Sequence, residues 1–185
     1  MNLLLLNPDQ INNNRATVAG RQLEHLLKVQ RAVLGDSVRV GEINGQMGQG
    51  IISDINADRA NLEIVLDTPP PEPLPLTLIL ALPRPKMLRR TIQTIAAMGV
   101  KKVYLINSSR VEKSFWQSPF LKPEALQEQL ILGLEQARDT LLPEIHLQPL
   151  FKPFVEDDLT EIIANTEALV AHPITEHRCP VNINS

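Results

Sequence analysis

Residues 67–75 read DTPPPEPLP, and five prolines in nine positions constrain this chain more than any other stretch does. Each proline fixes φ at about −65° and removes a backbone donor, so neither a helix nor a central strand can run through the segment. A stiff, extended connector over residues 68–75 is expected instead, separating residues 1–67 from residues 76–185. At 185 residues the chain is long enough for two modest domains, each with its own core.

The two sides read differently. Before the prolines come four short apolar segments, LLLLN, SVRVGEI, GQGIISDI and ANLEIVLD, with Gly, Asn or Asp between them, and INGQMGQG suits a hairpin turn. One helix interrupts them, at about residues 20–33, with Leu23, Leu26, Leu27 and Val33 at helical spacing and Gly35 placed to stop it. Short strands plus one helix predict a small, partly closed β-barrel. After the prolines, strands alternate with amphipathic helices. LTLILAL precedes a helix from Lys86 to Met98, KVYLIN precedes a loop and a helix from Pro123 to Asp139, and IHLQPL and EALVAH flank a helix within VEDDLTEIIANT. That alternation predicts an α/β domain whose parallel sheet is buried on both faces.

Charge is unevenly placed. The chain carries −3, yet residues 84–113 hold eight basic side chains against Glu112 alone, a net +7 set against −10 for the rest. Such a cluster fits either a polyanionic partner or a solvated face. Its position sharpens the question, because PRPK follows directly on the strand LTLILAL and so lies at that strand's carboxyl end, where open α/β sheets bind ligands. On the helix that follows, Lys86, Arg89, Arg90 and Gln93 share one face, while Leu88, Ile92, Ile95 and Ala96 form an apolar stripe beside it. No acid near in sequence relieves the repulsion; a phosphate backbone would, helped by the helix N-terminus. NSSRVEKSFWQSPF holds the equivalent position after the next strand and adds Arg110 and Lys113. In it Phe115 and Trp116, the chain's one tryptophan, either stack on a base or cover a neighbouring domain or subunit. Aromatics make up only 3% of the chain, so base-stacking platforms are not expected to dominate.

Other classes recede. A single cysteine, Cys179, excludes an intrachain disulfide and suits a reducing compartment. No basic leader or long apolar run occurs, so a cytoplasmic protein without a membrane anchor is expected. His172, His177 and Cys179 match no common zinc spacing, so no metal is expected. No P-loop, G-x-G-x-x-G, G-x-S-x-G or H-E-x-x-H pattern is present.

Taken together, HLLKVQRAVLGDSVRV, RPKMLRRTIQTIAAMGV, NSSRVEKSFWQSPF, LEQARDTLLPEIHLQP and ALVAHP, in this order, resemble the small-subunit ribosomal RNA uridine-N3 methyltransferases, the RsmE group of the SPOUT superfamily. The resemblance implies a PUA-like barrel over residues 1–67 that helps hold RNA, and over residues 76–185 a SPOUT α/β domain that ends in a trefoil knot and forms a homodimer. It implies S-adenosylmethionine as cofactor, N3 of a uridine in ribosomal RNA of the small subunit as the methylated atom, and no named catalytic base. His25, Val29 and Arg31 match the family's barrel-helix pattern, Arg110 its loop arginine, and Glu135 with Gln136 its Glu-Gln pair. The arginine expected two places after that pair is replaced by Asp139, with Arg138 one place earlier, and Thr94 stands where many members have lysine. RNA contacts are thus expected from His25, Arg31, Arg84, Lys86, Arg89, Arg90, Arg110 and Lys113, and cofactor contacts from His172 and Pro173. The Gly-rich segments that form the knot and hold the cofactor are not found in the sequence. The SPOUT domain is therefore expected to be truncated, and the 185 residues alone to bind no cofactor and be inactive. The alternative is a non-enzymatic RNA-binding protein made of a barrel and a cofactor-free α/β platform.

Overall fold

The computed structural model describes residues 2–171. The first half forms one mixed sheet of six strands: β1 (Leu4–Leu6), β2 (Ile11–Asn12), β3 (Arg15–Val18), β4 (Ser37–Glu42), β5 (Met47–Ile55) and β6 (Ala60–Thr68). Their spatial order is β1-β4-β5-β6-β3-β2, with β1 parallel to β4 and the other pairs antiparallel. The end strands β1 and β2 do not pair, so the sheet is a half-barrel, curled around Leu4, Leu6, Val18, Leu26, Val40, Ile52 and Leu62.

Helix α1 (Gly20–His25) continues as a π turn over Leu26–Gln30, and Arg31 closes it in the left-handed conformation, φ 53°. The helix therefore ends before Val33 and Gly35. Leu23 and Leu26 are buried while Val33 is 59% exposed, because the wider π turn removes Val33 from the apolar stripe that regular spacing would give it.

Residues 69–76 carry no helix or strand, although Leu74 donates its N–H to the Gly99 carbonyl (3.3 Å). The second half builds β7 (Thr77–Ala81), α2 (Pro85–Ala97), β8 (Lys102–Ile106), α3 (Pro123–Ala137) and β9 (Glu144–Gln148), and the three strands pair in parallel in the order β7-β8-β9. Leu78, Leu80, Val103, Leu105 and Ile145 face the helices and share a core with Leu88, Ile92 and Ile95 of α2 and Leu126, Leu130 and Leu134 of α3. Gly133 is where the two helices come closest; a methyl group there would lie 2.4 Å from the Gln93 carbonyl oxygen.

Two expectations are overturned. β7 is half-exposed over Thr77–Leu80 and exposed at Ala81, so among the described residues the sheet is not buried on both faces: α2 and α3 both cover one face. The other carries Tyr104, stacked on His146 with centroids 4.6 Å apart and touching Phe154, from the helical stretch α4 (Phe151–Pro153), a π turn (Phe154–Asp158) and α5 (Leu159–Ile163). Residues 167–171, expected as strand EALVAH, have no regular structure and are exposed. Only β8, flanked by strands on both sides, is deeply buried.

The halves are not beads on a string. Leu4 and Leu6 belong to the half-barrel core and Leu3 and Leu5 to the α/β core, so β1 is buried on both faces because it serves two domains. Asn2 and Leu3 donate N–H groups to the Glu135 carbonyl (3.0 and 3.1 Å), and Thr140 Oγ1 donates to the Gly45 carbonyl (2.6 Å). Asn44 takes the Leu142 N–H on Oδ1 (2.9 Å), and its own N–H donates to the Thr140 carbonyl (2.8 Å).

Candidate nucleic-acid interface

At the carboxyl ends of β7 and β8 the chain turns outward into two polar segments. Leu82 and Asn107 extend the ladder, donating N–H groups to Ile106 and Gln148 (2.9 and 3.0 Å). Pro83, Arg84 and Pro85 then start α2 with proline at its first helical position, where a missing N–H costs nothing. No side chain caps this helix and no acid stands in its first turn; Arg84 and Lys86 occupy the end where the helix dipole favours anions. Leu88, Ile92, Ile95 and Ala96 are buried, leaving Lys86, Arg89 and Arg90 on the exposed side.

After β8, Asn107 Oδ1 accepts from the Ser108 N–H (3.1 Å) and Trp116 Nε1 (3.3 Å), which folds the loop back on itself. Phe115, Trp116 and Phe120 pack against the α/β core, so their faces serve the fold before any base. The Arg89 guanidinium lies 5.4 Å from the centroid of the Phe120 ring. Arg110 and Lys113 are exposed. Among the described residues, none of Arg84, Lys86, Arg89, Arg90, Arg110 and Lys113 has a carboxylate within 4.0 Å.

The basic cluster is not uniform, however. Lys101 Nζ is 2.6 Å from Asp139 Oδ2 and 2.6 Å from the Leu141 carbonyl, and Lys102 Nζ lies 5.7 Å from the Tyr104 centroid. Lys101 is thus a structural cation that charge counting alone places with the others. Its partner Asp139 stands too far along the chain for sequence spacing to reveal the pair.

His25 and Arg31 sit elsewhere. In each β–α–β unit the helix returns antiparallel to the strands, so the N-terminal ends of α2 and α3 flank the cationic edge and their C-terminal ends lie at the opposite edge. α1 meets the C-terminal end of α3, where Arg21 grips Glu135 with Nη1–Oε2 2.8 Å and Nη2–Oε1 2.9 Å. His25 feels both partners. Burial, with Arg21 adding to it and Glu135 opposing, holds its imidazole below the ordinary value of 6.5. The fifteen residues of α3 separate the two groups by about 22 Å, so the structure gathers the six strand-edge cations and leaves the two barrel residues at the far end of α3.

A nucleoside-sized ligand needs a hollow of about 300 Å³ or more, usually where strand order reverses in an open sheet. The described strands run β7-β8-β9 without reversal. His172 and Pro173, the expected cofactor contacts, lie outside the described residues. Among the described residues no three His, Cys, Asp or Glu side chains converge as metal ligands would, and no helix is long and apolar enough to cross a membrane.

A half-barrel joined to a parallel α/β layer, whose carboxyl edge carries cations with no carboxylate within 4.0 Å among the described residues, suits a polyanionic partner. The chain belongs to the RNA methyltransferase domain family, whose model matches residues 70–183. It is 29% identical over 159 residues to the ribosomal RNA small subunit methyltransferase E of Treponema pallidum (strain Nichols), covering 83% of this chain and 59% of that protein. The chain thus spans about three-fifths of the length of this curated relative. Its fold is similar to that of a ribosomal RNA small subunit methyltransferase E from Neisseria gonorrhoeae bound to S-adenosyl methionine, with TM-score 0.65, 19% identity, and coverage of 85% of this chain and 65% of that one. A probable rRNA-methyltransferase from Porphyromonas gingivalis gives TM-score 0.65 at 19% identity, with coverage of 85% and 64%.

Proposed function

We propose that the protein serves the methylation of N3 of a uridine in small-subunit ribosomal RNA, with S-adenosylmethionine as cofactor. One observation carries the reading: six cations at the carboxyl edge of the sheet have no carboxylate within 4.0 Å among the described residues, in a chain of the RNA methyltransferase domain family. Phosphates would relieve a repulsion that the fold itself leaves in place. N3 of uridine is an imide nitrogen that must give up its proton before it can act as a nucleophile. A fixed positive field favours the resulting anion, and Arg84, Lys86, Arg89 and Arg110 supply such a field while the imide proton passes to solvent water. S-adenosylmethionine supplies the electrophilic methyl group. The part assigned to the described residues is to hold RNA and bias the uridine toward its anion.

The same reading treats residues 1–67 as a PUA-like RNA-holding unit and the protein as a homodimer, both following from the family resemblance, and takes the cytoplasm as its compartment from the single cysteine. The test is to incubate the full natural gene product with small ribosomal subunits and methyl-labelled S-adenosylmethionine, then to analyse the nucleosides by mass spectrometry. Label at N3 of a uridine is expected. RNA binding without label, together with no calorimetric binding of S-adenosylmethionine, would select the second reading: a cofactor-free RNA platform.

A further inference from the structure

A hollow of about 430 Å³ opens between the half-barrel and the C-terminal end of α3, and both halves line it. Arg39 comes from β4, where alternation with the buried Val38 and Val40 turns it outward. Arg138 follows α3 and closes it in the left-handed conformation, φ 60°, its N–H donating to the Leu134 carbonyl. Neither arginine has a carboxylate within 4.0 Å among the described residues, although Arg21 and Lys101 find buried acids in the same region. Asp36, the acid lining the hollow, already accepts the Val33 N–H on Oδ2 (2.9 Å). The helix dipole gives Arg138 a reason to stand at a helix C-terminus, but it gives Arg39 none.

The rest of the accessible lining is mainly polar, because Leu26 and Val38 turn into the half-barrel core; the Gln30 amide makes no hydrogen bond among the described residues. The volume falls within the range of about 300–1,000 Å³ typical of small-ligand sites. We propose that this hollow receives a single nucleotide of the bound RNA, its phosphate against Arg39 and Arg138 and its base edge within reach of the Gln30 amide. Arginine forks suit phosphate oxygens, and amide groups read base edges. The proposal rests on the reading of the chain as an RNA-binding protein, and it gives the RNA a second hold at the far end of α3 from the cationic edge.

The experiment measures binding of a fluorescein-labelled, mixed-sequence single-stranded RNA by anisotropy across a salt series. Arg39→Gln and Arg138→Gln should each lower the magnitude of the salt slope by about 0.7, and Arg138→Lys should restore the wild-type slope. Neither arginine has an ion pair to lose, so Tm should not move. An unchanged slope in the double Gln variant overturns the proposal. If Arg89→Ala/Arg90→Ala flattens the slope and the double Gln variant does not, this proposal alone fails. No RNA binding by the wild-type protein would take the proposed function down as well.

Discussion

Arg21 of the half-barrel helix and Glu135 of α3 form a two-point ion pair, 2.8 and 2.9 Å, in which Glu135 is only 1% exposed. The carboxylate is buried at the seam between the two halves, and the guanidinium both neutralises it and satisfies its oxygens. The hydrogen bond to Glu135, outweighing the cost of burial, raises the Arg21 pKa above its already high ordinary value, so Arg21 stays charged at all working pH. Arg21→Ala would strand a buried carboxylate. A loss of about 2 kcal/mol is expected, below the full cost of breaking a buried pair because the Arg21 side chain is 44% exposed. Urea unfolding checks it, and Arg21→Lys should recover only part of the loss, since a point charge cannot match the fork.

How far the sequence shows this fold follows from where each signal is local. The proline tract, the βαβ alternation and the apolar stripe of α2 are contained in short windows, and the structure has them within a residue or two. β2 and β3 carry no apolar alternation that stands out, and they form because β6 offers a partner edge, from Arg15↔Glu63 to Val18↔Ala60. The run LLLLN marks a strand but not that its two faces enter different cores. The strand-edge cations are legible as a cluster because they follow two strand ends closely in sequence, four from Arg84 to Arg90 and two in one loop. Glu135, Asp139, Arg39 and Arg138 acquire their roles only from contacts or hollows that join distant segments, so spacing has nothing to say about them.

His25 sets a pH dependence. Its imidazole titrates below 6.5 in the fold, because burial disfavours the charged form more than Glu135 favours it, with Arg21 adding a smaller repulsion. As pH falls below 6.5 the unfolded chain takes up a proton that the folded chain resists, so the contribution of His25 to stability is full above that value and is lost on acidification through the folded pKa. The protein should therefore unfold at lower temperature as pH drops from 7 towards 5, and His25→Asn should flatten that part of the profile. An NMR titration reads the group directly. Its midpoint should rise in Arg21→Ala, which removes a repulsive neighbour and frees Glu135 to attract.

The crossing of α2 and α3 depends on a missing side chain. A methyl group at residue 133 would lie 2.4 Å from the Gln93 carbonyl oxygen and 2.8 Å from Ala96 Cβ, and neither backbone nor Cβ can swing aside as a flexible side chain would. Gly133→Ala should cost about 1–3 kcal/mol despite the better helix propensity of alanine. Because α2 carries Lys86, Arg89 and Arg90, prising the helices apart should also weaken RNA binding. A variant with lowered Tm and unchanged RNA affinity would show that the position of α2 does not govern how RNA is held.

Lys101 and Arg89 lie in one basic segment, and the structure gives them opposite duties. Lys101 is 15% exposed and bound to Asp139 and the Leu141 carbonyl, while Arg89 is exposed above Phe120 with no carboxylate in reach among the described residues. Lys101→Ala should cost about 3 kcal/mol by stranding Asp139, and should leave the salt slope of RNA binding where it was. Arg89→Ala combined with Arg90→Ala should do the reverse, leaving Tm within a degree or two while the slope falls by about 1 for each phosphate that is no longer neutralised. Measuring both quantities on both variants separates a cation that holds the fold from cations that await a polyanion. An equal fall in slope from Lys101→Ala would mean that the two kinds cannot be told apart by their partners, and the assignment of the strand edge to RNA would fall with that distinction.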